Sequence, residues 1–474
     1  MVEISTFYRF RSINRLLGEF KELEKQSIFF APPEILNDPV EGFKDIYWQG
    51  DEILWRNLFN HYLLCLMNLC LGFQIQNNEF DLNKNLDTCL TIDDLNNNFK
   101  DEFSIISEQF LNSKHLKILI TGISNHRKKV DKSELQFYLK AVHFLALHCI
   151  YERLSEITKK ITNPFKKCEL PFLGKIDESL FSTIQQLEEK HGEQKLRELF
   201  FRDSFFSEQM ELMNVLSHEI SNVKRTLFTT AFCGLYIKKL ENLMFPDWFT
   251  ACFMSKCSNS SVWGNYGDNH KGVCMIFSAE FDKDGNNIIQ LNNAIRGWGV
   301  NGALKGKCPF KFHPIKYKNK YHALNFFESI AQIPEPAIYK NWFSWNGITS
   351  PSAQKYTEKW RKSHWNNFYK SVTQKTKDWK YENEYRLLIC NMSGSYSKND
   401  TTLEYDFKSL KGIIFGINTS DKDKAKIIEI IEKKVQENAH YNFKFYQAYY
   451  CRESGEIKHY EISFLNFRNS NKTQ

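Results

Sequence analysis

The chain reads as an α+β protein: a split β-rich, catalytic-type domain formed by the N- and C-terminal segments, with a large α-helical insertion between them. Three observations predict this. Aromatic and charged residues alternate at 6–12 (TFYRFRS), the period of a strand. Strand signals vanish from about Asp51 to Leu243, where apolar residues recur at helical spacing. They return at Trp248 and persist to 379–389, WKYENEYRLLI. The expected organisation is therefore 1–50 and 246–474 as two parts of one domain, with 51–245 inserted.

At the N-terminus, alternation puts Arg9 and Arg11 on one face and Tyr8 and Phe10 on the other. A helical stretch near Ile13–Leu23 and a short strand at 27–31 follow. Pro32, Pro33 and the string LNDP at 36–39 predict a rigid turn in which Asn37 and Asp38 bond nearby backbone. Within the insertion, Thr91–Asp94 and Ser133–Gln136 look like capping boxes. Long apolar-periodic runs span 135–157 and 203–243, the second broken or bent. His143 and His148 read as core or interface residues of a helix. After 248 come a strand to Met254, a loop at 255–272, a strand at 273–277 and a lysine-rich span at 305–320 with interleaved Phe and Tyr. That span suits a solvated face, or contact with phosphate or nucleic acid. Helical segments to about Asp378, a strand at 411–416, a helix at 421–436 and a strand within 439–450 complete the chain.

Composition sets bounds on function. At 25% charged and 42% hydrophobic residues, the chain is globular rather than disordered. A net charge of +7 over 474 residues permits an anionic partner without requiring one. The opening residues lack an apolar leader, and the run 62–73 falls short of the ~20 residues that cross a bilayer. Cytoplasmic location, reduced thiols and no membrane contact are expected. Cys252, Cys257, His270 and Cys274 approach a zinc-finger spacing, yet Cys252 and Cys274 fall on inward strand positions. No metal site is assigned.

The chemistry concentrates at 379–389. Glutamate is a poor strand former, and like charges on one face repel. Glu382, Glu384 and Arg386 nevertheless share a face of one strand by alternation, and such broken rules mark functional sites. An Arg386–Glu384 ion pair is the plainer account of the same residues.

Four ordered strings carry a family resemblance: Tyr8–Ser12 (YRFRS), Leu36–Pro39 (LNDP), Trp263-x-x-Tyr266 leading to His270–Cys274 (HKGVC), and Trp379-x-Tyr-Glu-x-Glu-Tyr-Arg386. The chain resembles the bacterial domain of unknown function 2971, over its two ends and not its helical middle. A weaker similarity is to ADP-ribosyltransferases. It implies NAD as the substrate cofactor, with Glu384, Glu382 and Arg386 in catalysis and Arg9, Arg11, Ser255, Trp263, Tyr266 and His270 binding NAD. An arginine fork suits pyrophosphate, an aromatic ring suits nicotinamide, and a carboxylate suits an oxocarbenium-like sugar. Departures remain: no Ser-Thr-Ser string is present, and Arg9 and Arg11 are equivalent in the pattern. By analogy, the setting is a bacterial toxin or phage-defence effector acting on an unassigned macromolecular or nucleotide substrate. Two alternatives stand beside it. One is a metal-dependent nuclease using Asp38 and Glu384. The other is a non-enzymatic nucleotide- or partner-binding sensor that docks a protein through the helical insertion.

Overall fold

The computed structural model describes residues 6–76, 81–158, 176–216, 231–391, 396–465 and 467. The chain forms two compact units. The first comprises Met1–Phe43, Asp247–Tyr321 and Tyr369–Gln474, and the second Lys44–Pro246 and His322–Phe368. Helices and strands coexist in the α+β manner expected, with a large helical region.

An eight-stranded sheet dominates the first unit. Its order is Glu456–Glu461, Lys444–Cys451, Leu410–Phe415, Val273–Ser278, Thr6–Arg11, Asp247–Met254, Glu384–Asn391, His313–Pro314. The N-terminal strand thus lies inside the sheet, paired on both sides. All neighbours are antiparallel except Leu410–Phe415 and Lys444–Cys451. That parallel pair needs a crossover, and the helix Asp421–Asn438 supplies it, capped by Ser420. A second sheet is built on the long hairpin Asn287–Gly299 and Gly302–Lys311, with Glu280–Phe281, Thr402–Tyr405 and Ser27–Phe29.

The large sheet separates two environments. On one face Phe7, Phe253, Met275, Leu387 and Ile413 pack against Leu291, Leu403 and Tyr405 of the second sheet and Ile427 and Ile431 of the helix. Each fully buried side chain of this size contributes roughly 1.5–3 kcal/mol. On the other face Phe10, Met254, Cys274 and Ile414 meet Val262 and Trp263 of a short helix, Ser260–Tyr266. The stretch 255–272, read as a loop, therefore contains one helix, started by Asn259 accepting the Val262 N–H. Its end is unusual: Asp268, Asn269 and His270 all have positive φ. Gly416 sits against this turn, and a Cβ there would lie 2.2 Å from the His270 carbonyl oxygen. Gly416→Ala should cost about 1–3 kcal/mol in urea unfolding.

Helices form most of the second unit: Glu52–Gln76, Asn97–Leu111, Lys114–His126, Lys132–Ile157, Ser179–His191, Glu193–Leu216 and Phe232–Lys239. Asp131, not Ser133, caps the helix at 132, accepting the Glu134 N–H. The Thr91–Asp94 capping box is present on a single 3-10 turn. His143 is buried, with Tyr62 Oη 2.5 Å from its Nδ1, as suits a core histidine. Among the described residues, the run 203–243 contains the end of the helix Glu193–Leu216, the helix Phe232–Lys239 and a 3-10 turn at Leu240–Leu243, and 217–230 lies outside the described residues. Among the described residues no helix is long and apolar enough to cross a membrane.

Candidate functional site

The strand expected at 379–389 begins at Glu384. Residues 377–382 form a 3-10 helix, and Asn383 turns the chain through a left-handed conformation (φ 48°). Glu382 is therefore not on the strand face, as alternation placed it. The turn still delivers it beside Glu384.

Glu384 and Arg386 share the face of the large sheet opposite the main core, because Tyr385, Leu387 and Ile389 between and beyond them pack into that core. Arg386 uses all five of its N–H groups. Nε donates to Glu384 Oε1 at 2.8 Å, and Nη2 to Glu384 Oε2 at 3.4 Å. Nη1 and Nη2 grip Glu41 in a fork at 2.5 and 2.7 Å, and Nη1 also reaches the Val372 carbonyl at 2.8 Å. Lys375 completes the cluster, 2.7 Å from Glu384 and 2.8 Å from Glu382. It is placed by a two-residue strand, Gln374–Lys375, running parallel to Lys316–Tyr317. Tyr317 Oη in turn accepts the Glu384 N–H. The side chains of Glu41, Lys375, Glu382, Glu384 and Arg386 are each 5% exposed or less. Charges this deep persist only when paired and hydrogen-bonded.

The two neighbouring carboxyls differ. Burial pushes Glu382 up, Glu384 adds to the push, and Lys375 only partly opposes it. Tyr266 Oη donates to Glu382 Oε1 at 2.5 Å, and the phenol is itself raised, first by burial and then by Glu382. Burial would raise Glu384 as well, but Arg386 and Lys375 outweigh it and hold the carboxyl well below the usual range. Cys252, cross-strand from Arg386, adds a thiol hydrogen bond to Glu384 and is kept protonated by burial. Around Glu382 the rim is more open: Tyr266 and Tyr381 are half-buried, and exposed Asn265 donates to Tyr381 Oη.

Glu382, Glu384, Arg386 and Tyr266 thus converge. Ser255 borders them, its N–H and hydroxyl both donating to the Asn383 carbonyl. The other expected residues lie elsewhere. Tyr8 pairs with Met254, which pairs with Glu384, so even-numbered residues of the first strand share the Glu384 face. Arg9 and Arg11 point to the opposite face. Arg9 is buried there against the Phe253 ring, donating to the Phe29 and Cys252 carbonyls, and Arg11 pairs with Glu22 at 2.7 Å. Trp263 is a core residue, edge-on to Phe10 and donating to the Cys257 carbonyl, with no face left for a ligand. His270 stacks on Trp263 and lies 3.4 Å from the Ser260 hydroxyl. The four residues with zinc-like spacing do not gather: Cys257 faces His459, and Cys252 faces Glu384. Asp38 Oδ1 accepts the Val40 N–H of its own turn.

Glu41 and Lys375 were not singled out from sequence. For Glu41 one signal exists, the Gly42 that follows it: its φ is +68°, and a Cβ there would lie 2.7 Å from the Trp248 ring. Lys375 carries no comparable mark.

Residues 262–387 match the model of the DUF2971 family, described as a protein of unknown function. The match contains Trp263–Tyr266, His270–Cys274 and Trp379–Arg386, and the resemblance to that family holds over this stretch. No curated protein and no solved structure matches the chain significantly.

Proposed function

We propose that the chain is an ADP-ribosyltransferase-like enzyme acting on the N-glycosidic bond of NAD. Glu382 and Tyr266 meet the reacting sugar, and Glu384 is the ionised residue that fixes Lys375 and Arg386. The asymmetry of the two glutamates carries this reading. Glu384 is clamped between two cations, whereas Glu382, also buried, is raised and takes a short hydrogen bond from half-buried Tyr266. Carboxyls driven apart by their surroundings divide acid–base work from electrostatic work.

In the transfer, the bond from the sugar to nicotinamide breaks with its electron pair passing to the ring nitrogen. Glu382 stabilises the oxocarbenium-like sugar and takes the proton of the attacking hydroxyl as the new C–O bond forms. Tyr266 orients Glu382, and Lys375 steadies its charge. The pyrophosphate grip expected of Arg9 and Arg11 is not part of this reading, since both face the other side of the sheet.

Nicotinamide release from NAD, with a lysate supplying acceptors, tests the assignment. Glu382→Gln should lower it about 10²–10⁴-fold. Turnover at the wild-type rate by folded Glu382→Gln protein, or no release by the wild type, would falsify it. A second reading rests on the mutual pairing of all five charges: a non-enzymatic clamp joining three stretches of chain. Under that reading, the wild type releases no nicotinamide, and Glu382→Gln alters stability alone.

A further inference from the structure

Five of the six lysines in the span 305–320 fall into two sets. Lys305 and Lys307, on the long hairpin, have carboxylate partners in Asp400 and Asp406. Lys316, Lys318 and Lys320 are exposed and form no ion pair among the described residues. Alternation explains their direction. Tyr317 turns inward to the Glu384 N–H, so Lys316 and Lys318 on either side of it turn outward.

A second segment lies against this one. Lys316–Tyr317 pairs with Gln374–Lys375, Lys318 N–H donates to the Lys375 carbonyl, and the Gln374 amide reaches the Lys318 and Lys320 carbonyls. The Lys377 N–H donates to Asn319 Oδ1. This stitching brings Lys377 and Lys380, also exposed and without an ion pair among the described residues, beside the first three lysines. The carboxylate exposed on the two segments is Asp378. Trp379 lies between Lys377 and Lys380 and is half-buried. Its ring packs over Lys375 Nζ at 5.1 Å and near Tyr381 at 6.2 Å.

We propose that the surface formed by 316–320 and 374–380 binds single-stranded nucleic acid. Five unpaired ammonium groups on two stitched segments form a concentrated positive patch on a chain whose overall charge is modest. Self-repulsion among them is relieved by a string of phosphates. Trp379 and Tyr381, partly exposed beside the lysines, provide flat surfaces for unstacked bases, which a duplex does not present. The five lysines are separate from the buried network, so the inference stands whether or not NAD is turned over.

Fluorescence anisotropy of the full chain with a labelled oligothymidylate, and with a duplex of equal length, tests this. Tighter binding of the single strand is expected. The slope of log affinity against log salt should be about −3.5 for five phosphate contacts, falling to about −1.4 in the Lys316→Gln/Lys318→Gln/Lys320→Gln variant. Trp379→Ala should weaken single-strand binding about tenfold or more. In the unmodified protein, the oligonucleotide should protect the five lysines from acetylation. The proposal is overturned if the triple variant keeps wild-type affinity and slope, or if protection falls on other lysines. It is equally overturned if duplex binds as well as single strand and Trp379→Ala loses nothing.

Discussion

Arg386→Met will destabilise the β-rich unit by about 3–5 kcal/mol in urea unfolding, the usual consequence of removing one partner from a buried ion pair. Methionine fills much of the arginine volume, so little of the loss comes from a cavity. The loss comes from Glu41 and Glu384, which keep their burial and lose their main cation. The Val372 carbonyl loses a donor as well. Adding Glu41→Gln to Arg386→Met should recover part of the loss, because the second change removes a charge that the first left uncompensated. A cost below about 1 kcal/mol for Arg386→Met would show that the network yields to solvent, contrary to its packing.

Glu384→Gln and Glu382→Gln will affect stability with opposite signs at neutral pH. Glu384 has a folded-state pKa below its ordinary 4.5. Its contribution is fully present above about pH 4.5 and is lost as pH falls through the folded value. Glutamine removes that contribution, so Glu384→Gln lowers the melting temperature at pH 7 and narrows its gap from wild type in acid. Glu382 has a folded-state pKa above 4.5. Its favourable contribution is present below pH 4.5 and is lost as pH rises through the folded value. Glutamine mimics the protonated form, so Glu382→Gln melts at or above the wild-type temperature at pH 7 to 8. Thermal melts of the three proteins from pH 4 to 8 decide the matter. Parallel curves for the two variants would sink the division of roles between the glutamates.

Local patterns made much of this site legible, and pairing withheld the rest. Alternation placed Glu384 and Arg386 together, which needs only one strand. It also placed Arg9 with Arg11 on a common face. What it did not supply was which side of the sheet those arginines take relative to Glu384, because that depends on the register of two intervening pairings. The match of Tyr8 to Met254 and of Met254 to Glu384 sends the arginines to the opposite side. A slip of one residue would have reversed the answer. Glu382 arrived through a turn that alternation does not describe. Glu41 and Lys375 lie on short irregular stretches, whose partners hundreds of residues away or across a two-residue ladder leave no periodic trace. The outline of the fold was read more easily, since helical and strand periods persist over tens of residues. The hairpin 287–311 was not anticipated, and its inner strand carries asparagines and glycines that mask alternation.

Placing the first strand inside the large sheet has a consequence for biosynthesis. Arg9 and the Cys252 carbonyl it contacts are separated by 243 positions. At roughly 5–20 residues per second, the ribosome takes about 12–50 s to produce that interval. Throughout it, Phe7 and Phe10 have left the exit tunnel early but lack both neighbouring strands. The nascent first strand therefore waits, with its aromatic side chains uncovered, for both of its pairing partners. Lys44–Pro246, the larger part of the helical unit, is made within that interval.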